Sequence, residues 1–219
     1  MRGRFITFEG GEGSGKSSRA AALAERLRAR DIPVVLTREP GGSPGAEIIR
    51  HVLLSGAAAP LGAEIETLLF AGARDDHLRV TIRPALAAGT WVISDRFLDS
   101  TRVYQGVLGR VDARLVHALE RITIGDDMPD LTLILDVPAE TGLARAAARR
   151  GGGAADRFEA EDLAFHQALR QAFLAIAQQE PDRCVVIDAG APPEAVDEAI
   201  WRAVAERLLP HAAVAAAAS

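Results

Sequence analysis

Eight residues, Gly10-Gly11-Glu12-Gly13-Ser14-Gly15-Lys16-Ser17, match the pattern G-x-x-x-x-G-K-[ST] in full. The chemistry of that pattern is the cradling of a nucleoside triphosphate. Its glycines let successive backbone N–H groups turn inward on phosphate oxygens, and a following helix offers its positive N-terminus. Lys16 can then bridge the β- and γ-phosphates while the Ser17 hydroxyl ligates Mg²⁺. A glycine-rich turn that merely packs a helix against a strand is the plainer alternative, and the composition argues against it. Of 25 Lys and Arg residues 24 are Arg, and the sole Lys is Lys16. A compact ammonium enters a tight loop where a planar guanidinium fork cannot replace it.

The reaction class needs a second group of residues. The apolar run Trp91-Val92-Ile93-Ser94 ends in Asp95-Arg96. Asp95 is placed to hold Mg²⁺ or its water shell, and Arg96 to attract a second phosphate rather than to activate water. An acceptor that itself carries phosphate is implied. The chain contains no Asn, which excludes the Asn-Lys-x-Asp guanine-reading motif of GTPase switches and the catalytic-loop Asn of protein kinases.

The elements that must position these residues alternate regularly. Nearly continuous apolar runs predict strands at Arg4–Phe8, Val34–Thr37, Trp91–Ser94, Leu131–Val137 and Cys184–Ile187, a pattern that suits central strands of a parallel sheet covered on both faces. Helices are predicted at Lys16–Arg30, Gly45–Ser55, Ala63–Ala88, Asp112–Ile124, Ala139–Arg150, Phe158–Gln179 and Pro193–Leu209, the third broken or kinked near Arg83 by Pro84. Val196, Ile200, Ala203, Val204 and Leu208 give the last helix one apolar face. Strand and helix alternate throughout, so the fold class is α/β, a three-layer α/β/α architecture around a five-stranded parallel sheet. Residues 1–210 read as a single domain. Gly151-Gly152-Gly153 marks a mobile lid at about residues 145–158, and the Ala-rich stretch 211–219 reads as a disordered tail.

At 219 residues and 48% apolar content the chain can bury a substantial core. A net charge of −5 disfavours nucleic-acid binding and requires any bound phosphate to meet a local cluster of cations. The single Cys184 lies in an apolar run and reads as a buried thiol. No run is long enough to span a bilayer and the N-terminus leaves no room for a signal segment, so a reducing, cytoplasmic setting without membrane contact is expected.

The chain resembles the thymidylate kinase family from Phe5 to about Leu208. The carrying motifs are Phe8-Glu9-Gly10 through Lys16-Ser17-Ser18, Thr37-Arg38-Glu39-Pro40-Gly41-Gly42 and Phe70-Ala71-Gly72-Ala73-Arg74. Asp95-Arg96-Phe97 with Ser100-Thr101, Tyr104-Gln105-Gly106, and Pro129-Asp130 through Val137 complete them. The resemblance implies a P-loop kinase fold and ATP-dependent, Mg²⁺-assisted phosphorylation of dTMP to dTDP in dTTP synthesis. Lys16, Ser18 and the rest of the loop from Gly10 to Ser17 would bind ATP, together with Arg145. Phe70 would stack on thymine and Arg74 would donate to its exocyclic oxygen. Arg38 and Arg96 would grip the 5′-phosphate with Arg50 beside them, in a wall that includes Glu39 and Pro40. Gln105 with Ser100 or Thr101 would meet the N3 edge, Tyr104 would exclude a ribose 2′-hydroxyl, and Glu12 would contact the 3′-hydroxyl or its bound water and metal.

The same resemblance places a catalytic arginine either in the phosphate loop or in the lid. Gly13 stands at the loop position, so the lid would supply it, with Arg149 and Arg157 the leading candidates beside Arg145 and Arg150. Phe97 stands where Tyr or His is common, and Arg102-Val103 where smaller residues are usual. Similar kinases are homodimers packed through long helices, and Ile65–Ala73 could serve that role or the core equally. Two other readings stay open: a kinase for another nucleoside monophosphate or a deoxynucleoside, and a nucleotide-binding protein without turnover.

Overall fold

The computed structural model describes residues 2–151 and 158–209. Arg157, the central part of the expected lid at 152–157 and the tail at 211–219 lie outside the described residues. Five strands, β1 (Phe5–Glu9), β2 (Val34–Arg38), β3 (Trp91–Asp95), β4 (Leu131–Asp136) and β5 (Cys184–Asp188), form one parallel sheet in the order β2-β3-β1-β4-β5. Each lies within a residue of its expected bounds. The three inner strands are almost wholly buried, whereas the edge strands β2 and β5 are only partly covered.

The helices are α1 (Lys16–Arg28), α2 (Pro44–Leu54), α3 (Ala63–His77), α4 (Arg83–Ala87), α5 (Leu98–Thr101), α6 (Ala113–Thr123), α7 (Ala139–Arg150), α8 (Leu163–Gln179) and α9 (Pro193–Leu208). On one face Leu23 and Leu27 of α1 and the stripe Val196, Ile200, Val204 and Leu208 of α9 pack on Ile6, Phe8, Ile93 and Leu133. On the other, Leu169 and Phe173 of α8 cover Ile134 and Cys184, while Leu78, Ile82 and Leu86 enclose Phe5 and Phe97.

Two expectations are corrected and one is made specific. The long helix from Ala63 is distorted just before Arg83 instead of ending there. It widens into a π-helical turn over Leu78–Ile82, and α4 then starts with Pro84 in its first turn, where a missing N–H costs nothing. The helix expected from Phe158 begins at Leu163, because the Asp162 carboxylate caps it by accepting from Phe165 N at 2.8 Å. Residues 98–108, for which no element was expected, form α5 and a π-helical segment, Arg102–Leu108.

The parallel register places the site. Arg38 on β2 pairs with Asp95 on β3, and Asp95 with Phe8 on β1. Three strands therefore end level and release their loops at one carboxyl edge, where open α/β sheets bind ligands.

Candidate active site

The phosphate loop leaves β1 at Gly10 and enters α1 through Gly15, whose φ of 89° is a left-handed turn that a glycine adopts without strain. Lys16 is the first residue of that helix and is buried. Its Nζ donates to the carbonyls of Gly10 at 3.0 Å and Gly11 at 2.7 Å, and to Ser14 Oγ at 3.3 Å. Burial, reinforced by the neighbouring Arg96 guanidinium, brings the Lys16 ammonium down to about 8. Two cations held this close stand ready for a polyanion.

Gly13 touches α7 so closely that a Cβ there would lie 1.9 Å from the Gly142 carbonyl oxygen, and a Cβ on Gly142 would lie 2.4 Å from the Glu12 carbonyl oxygen. The loop and the helix leading toward residues 152–157 are thus packed backbone on backbone.

Two cavities of about 230 Å³ each meet at this edge. One is lined by Gly13, Gly15, Lys16, Ser17, Ser18 and Arg149. The other is lined by Arg38, Glu39, Pro40, Arg50, Phe70, Arg74, Ser100, Thr101, Tyr104 and Gln105. Glu12, Ser17, Asp95 and Arg96 border both. Every residue expected on the acceptor side is therefore brought together. Gly10 and Gly11 face a separate cavity of about 20 Å³ against Leu135–Val137 and His166. Ser14 turns inward, donating to Gly11 O at 2.8 Å.

At the junction, Arg96 Nη2 donates to Glu12 Oε1 at 2.5 Å and Arg96 Nη1 to Ser100 Oγ at 3.2 Å. The Tyr104 hydroxyl donates to the same Glu12 oxygen at 3.0 Å, and the Arg96 guanidinium lies 5.3 Å over the Tyr104 ring. Burial pushes the Glu12 carboxyl up, but Arg96, Lys16 and the Tyr104 hydroxyl outweigh it and hold the group down at about 2. Burial also opposes the charge on Arg96; Tyr104, Glu12, Asp95 and Glu9 around it more than compensate and raise its pKa. The Ser17 hydroxyl donates to Asp95 Oδ2. Among the described residues no cluster of three or more His, Cys, Asp or Glu side chains could hold a metal alone. A hydroxyl beside one carboxylate fits a hard cation that completes its shell with phosphate oxygens and water, as Mg²⁺ does.

On the acceptor wall the guanidiniums are held by neighbours. Arg74 is buried, and its Nε donates to Glu39 Oε2 at 2.8 Å while Nη2 reaches Phe97 O at 3.1 Å and Thr101 Oγ1 at 2.9 Å. Glu39, also buried, is bonded on its other oxygen to His77 Nδ1 at 3.0 Å, and so backs Arg74 more than it faces the cavity. Arg50 Nη1 donates to Pro40 O at 2.5 Å, and Arg38 Nη2 to both oxygens of Glu47 at 3.0 and 3.2 Å.

The described arginines of the expected lid diverge. Arg149 lines the phosphate cavity and its Nη2 reaches Glu159 Oε1 at 3.2 Å, Arg150 donates to Glu159 Oε2 at 2.6 Å, and Arg145 turns away to Ala189 O at 2.7 Å.

Sequence reasoning missed Leu54 and Phe158 in the wall, Glu47 behind Arg38, and Glu9, a buried carboxylate at the end of β1. Only Glu9 carried a readable signal: an acid closing an otherwise apolar strand, next to a motif already recognised.

Residues 8–200 match the family model described as Thymidylate kinase. A thymidylate kinase of Nitrobacter winogradskyi is 64% identical over 209 residues, covering 95% of this chain and 91% of that protein. One from Bradyrhizobium sp. strain BTAi1 is 64% identical over 216 residues, covering 99% and 95%. The crystal structure of thymidylate kinase from Ehrlichia chaffeensis superposes with a TM-score of 0.75 at 33% identity, covering 93% of this chain and all of that one.

Proposed function

The chain belongs to the thymidylate kinase family and is a phosphotransferase that phosphorylates dTMP; from that premise we propose how its site divides the work. The observation that carries the reading is the pair of cavities meeting at Glu12, Ser17, Asp95 and Arg96. ATP occupies the side of Gly10 to Ser18, with Lys16 on its β- and γ-phosphates. The dTMP base lies between Phe70, Arg74 and the Thr101–Gln105 segment, and Arg38, Arg50 and Arg96 face its 5′-phosphate. Tyr104, with its ring under Arg96 and its hydroxyl on Glu12, closes the space where a 2′-hydroxyl would project.

Ser17 and Asp95 would hold Mg²⁺, which when bound neutralises phosphate charge. The remaining work is positioning. A phosphate oxygen is already a nucleophile, so no strong base is needed. Rate comes from aligning donor and acceptor and from cations around the transferred group. Lid arginines, Arg149 and Arg157 first among them, supply the cation that Gly13 cannot. We further assign the enzyme to the cytoplasm and to a homodimer formed through the outer face of α3. No helix of the described residues is long and apolar enough to cross a membrane.

The test is nucleotide selection: with ATP and Mg²⁺, kcat/KM for dTMP should exceed that for dCMP, dAMP and ribo-TMP by about 10² or more. Equal or better use of cytidylate or adenylate would remove the base-pocket assignment.

A further inference from the structure

Glu9 ends β1 fully buried, directly below the turn that carries Arg96. Its Oε1 accepts from Phe97 N at 2.8 Å and from Ser100 N at 3.1 Å, and its Oε2 from the Ser100 hydroxyl at 2.6 Å. A buried carboxylate is costly unless hydrogen-bonded, and here three donors of one short turn converge on it. That turn is strained: Arg96 has a φ of 70°, left-handed for a side chain that gains nothing from the conformation. It is pinned on each side, by Arg96 N donating to Phe8 O at 2.9 Å, by Ser94 Oγ donating to Arg96 O at 2.8 Å, and by Phe97 N on Glu9. Ser100 Oγ links the two groups, giving its hydrogen to Glu9 and accepting from Arg96 Nη1 at 3.2 Å.

We propose that Glu9 is a positioning residue for the acceptor side of the site: its carboxylate holds the Phe97–Ser100 turn and thereby sets the aim of Arg96 and the direction of the Ser100 hydroxyl. The inference rests on the reading that Arg96 grips the monophosphate. Because Ser100 donates to Glu9, its oxygen lone pairs are left for Arg96 and for the cavity it lines. Asp99 and Arg183 lie behind the turn, joined at 2.7 Å, and Lys16 and Arg96 face Glu9 from the phosphate side.

The isosteric Glu9→Gln separates positioning from bulk support. Its amide oxygen can still accept the two backbone N–H groups, but its NH₂ must donate to Ser100 Oγ, reversing that one bond. At pH 8, E9Q should raise the KM for dTMP roughly tenfold while the KM for ATP and kcat stay within about twofold. In the E9Q background Ser100→Ala should add little, because both changes break the same link. An unchanged dTMP KM in E9Q, or equal rises in both KM values, would overturn the proposal. Arg96→Ala, measured in parallel, tests the premise. If it raises the dTMP KM and E9Q does not, the role of Glu9 alone fails; if Arg96→Ala leaves that KM unchanged, the reading of Arg96 fails and the role of Glu9 with it.

Discussion

Lys16 and Glu9 are both buried ionisable groups within one loop of each other, and burial drives both toward neutrality. Lys16 is surrounded by its own loop's carbonyls, and a guanidinium at that position would have to displace them. Lys16→Ala should therefore reduce turnover by at least about 10³-fold, and Lys16→Arg should fail to restore more than about 1% of wild-type turnover. Circular dichroism of both variants should match the parent. For Glu9, burial and then the nearby Asp99 push the carboxyl up to about 7 from its usual 4.5. Between those values the native chain keeps a proton that the unfolded chain has released, so this contribution to stability is full below pH 4.5 and is lost as pH rises through 7. Thermal midpoints compared from pH 5 to 8 should show Glu9→Gln gaining on the parent by about 2–5 °C; a constant difference would mean that Glu9 does not titrate in that window.

At the scale of elements, the contact between the phosphate loop and α7 bears on which part of the chain can carry the arginine that we assign to catalysis. No side chain fits at Gly13 while Gly142 O lies where its Cβ would be, so the loop cannot hold an arginine without α7 moving. Gly142→Ala should force that movement, costing about 1–3 kcal/mol of stability by overpacking and lowering turnover more than it lowers ATP affinity. Ala147→Ser, exposed on the same helix, should stay within about 0.5 kcal/mol of the parent in denaturant titrations. Arg149→Ala should reduce kcat by about 10²-fold with little change in the KM for dTMP, since Arg149 lines the phosphate cavity and is not in the wall that carries Phe70 and Arg74.

Much of this architecture was legible in the sequence because it rests on period and punctuation. The five strands were continuous apolar runs, and the loop residues fell between a strand and a helix. What was not legible depends on contacts distant in sequence. The segment 98–108 winds as α5 and a π-helical turn without amphipathic period, since Val103, Tyr104 and Gln105 are all buried by other elements. The Gly13–Gly142 approach joins residues far apart in the chain, and Glu9 acquires its role only when β3 delivers Phe97 and Ser100 above it. Pro84 marked the place of the helix distortion, but its form, a π-helical turn over Leu78–Ile82 that leaves both residues packed with Phe5 and Phe97, was not written in the local sequence.

For the whole molecule, a net charge of −5 coexists with a site edge rich in cations, Lys16, Arg38, Arg96 and Arg149, so the anionic substrates are drawn to a local field and not to the surface at large. Helix α3 divides its residues between that site and the outside. Phe70 and Arg74 line the acceptor cavity, while Ile65 and Leu68, one turn apart, remain 41% and 44% exposed, as does Ile48 of the adjacent α2 at 70%. Large apolar side chains at helical spacing on one face are what a second copy of the chain would cover, and they are the outward half of the stretch in which core and interface readings competed in the sequence. At micromolar concentration light scattering should give twice the 23.2 kDa chain mass. Ile65→Glu combined with Leu68→Glu should return it to the monomer value, because a carboxylate cannot be buried unpaired across a symmetric contact. Since α3 also carries Phe70 and Arg74, the separated chain should show a raised KM for dTMP with an unaltered KM for ATP. A parent that already runs at 23.2 kDa, or a double variant that stays dimeric, would instead assign the face to solvent or the contact to another surface.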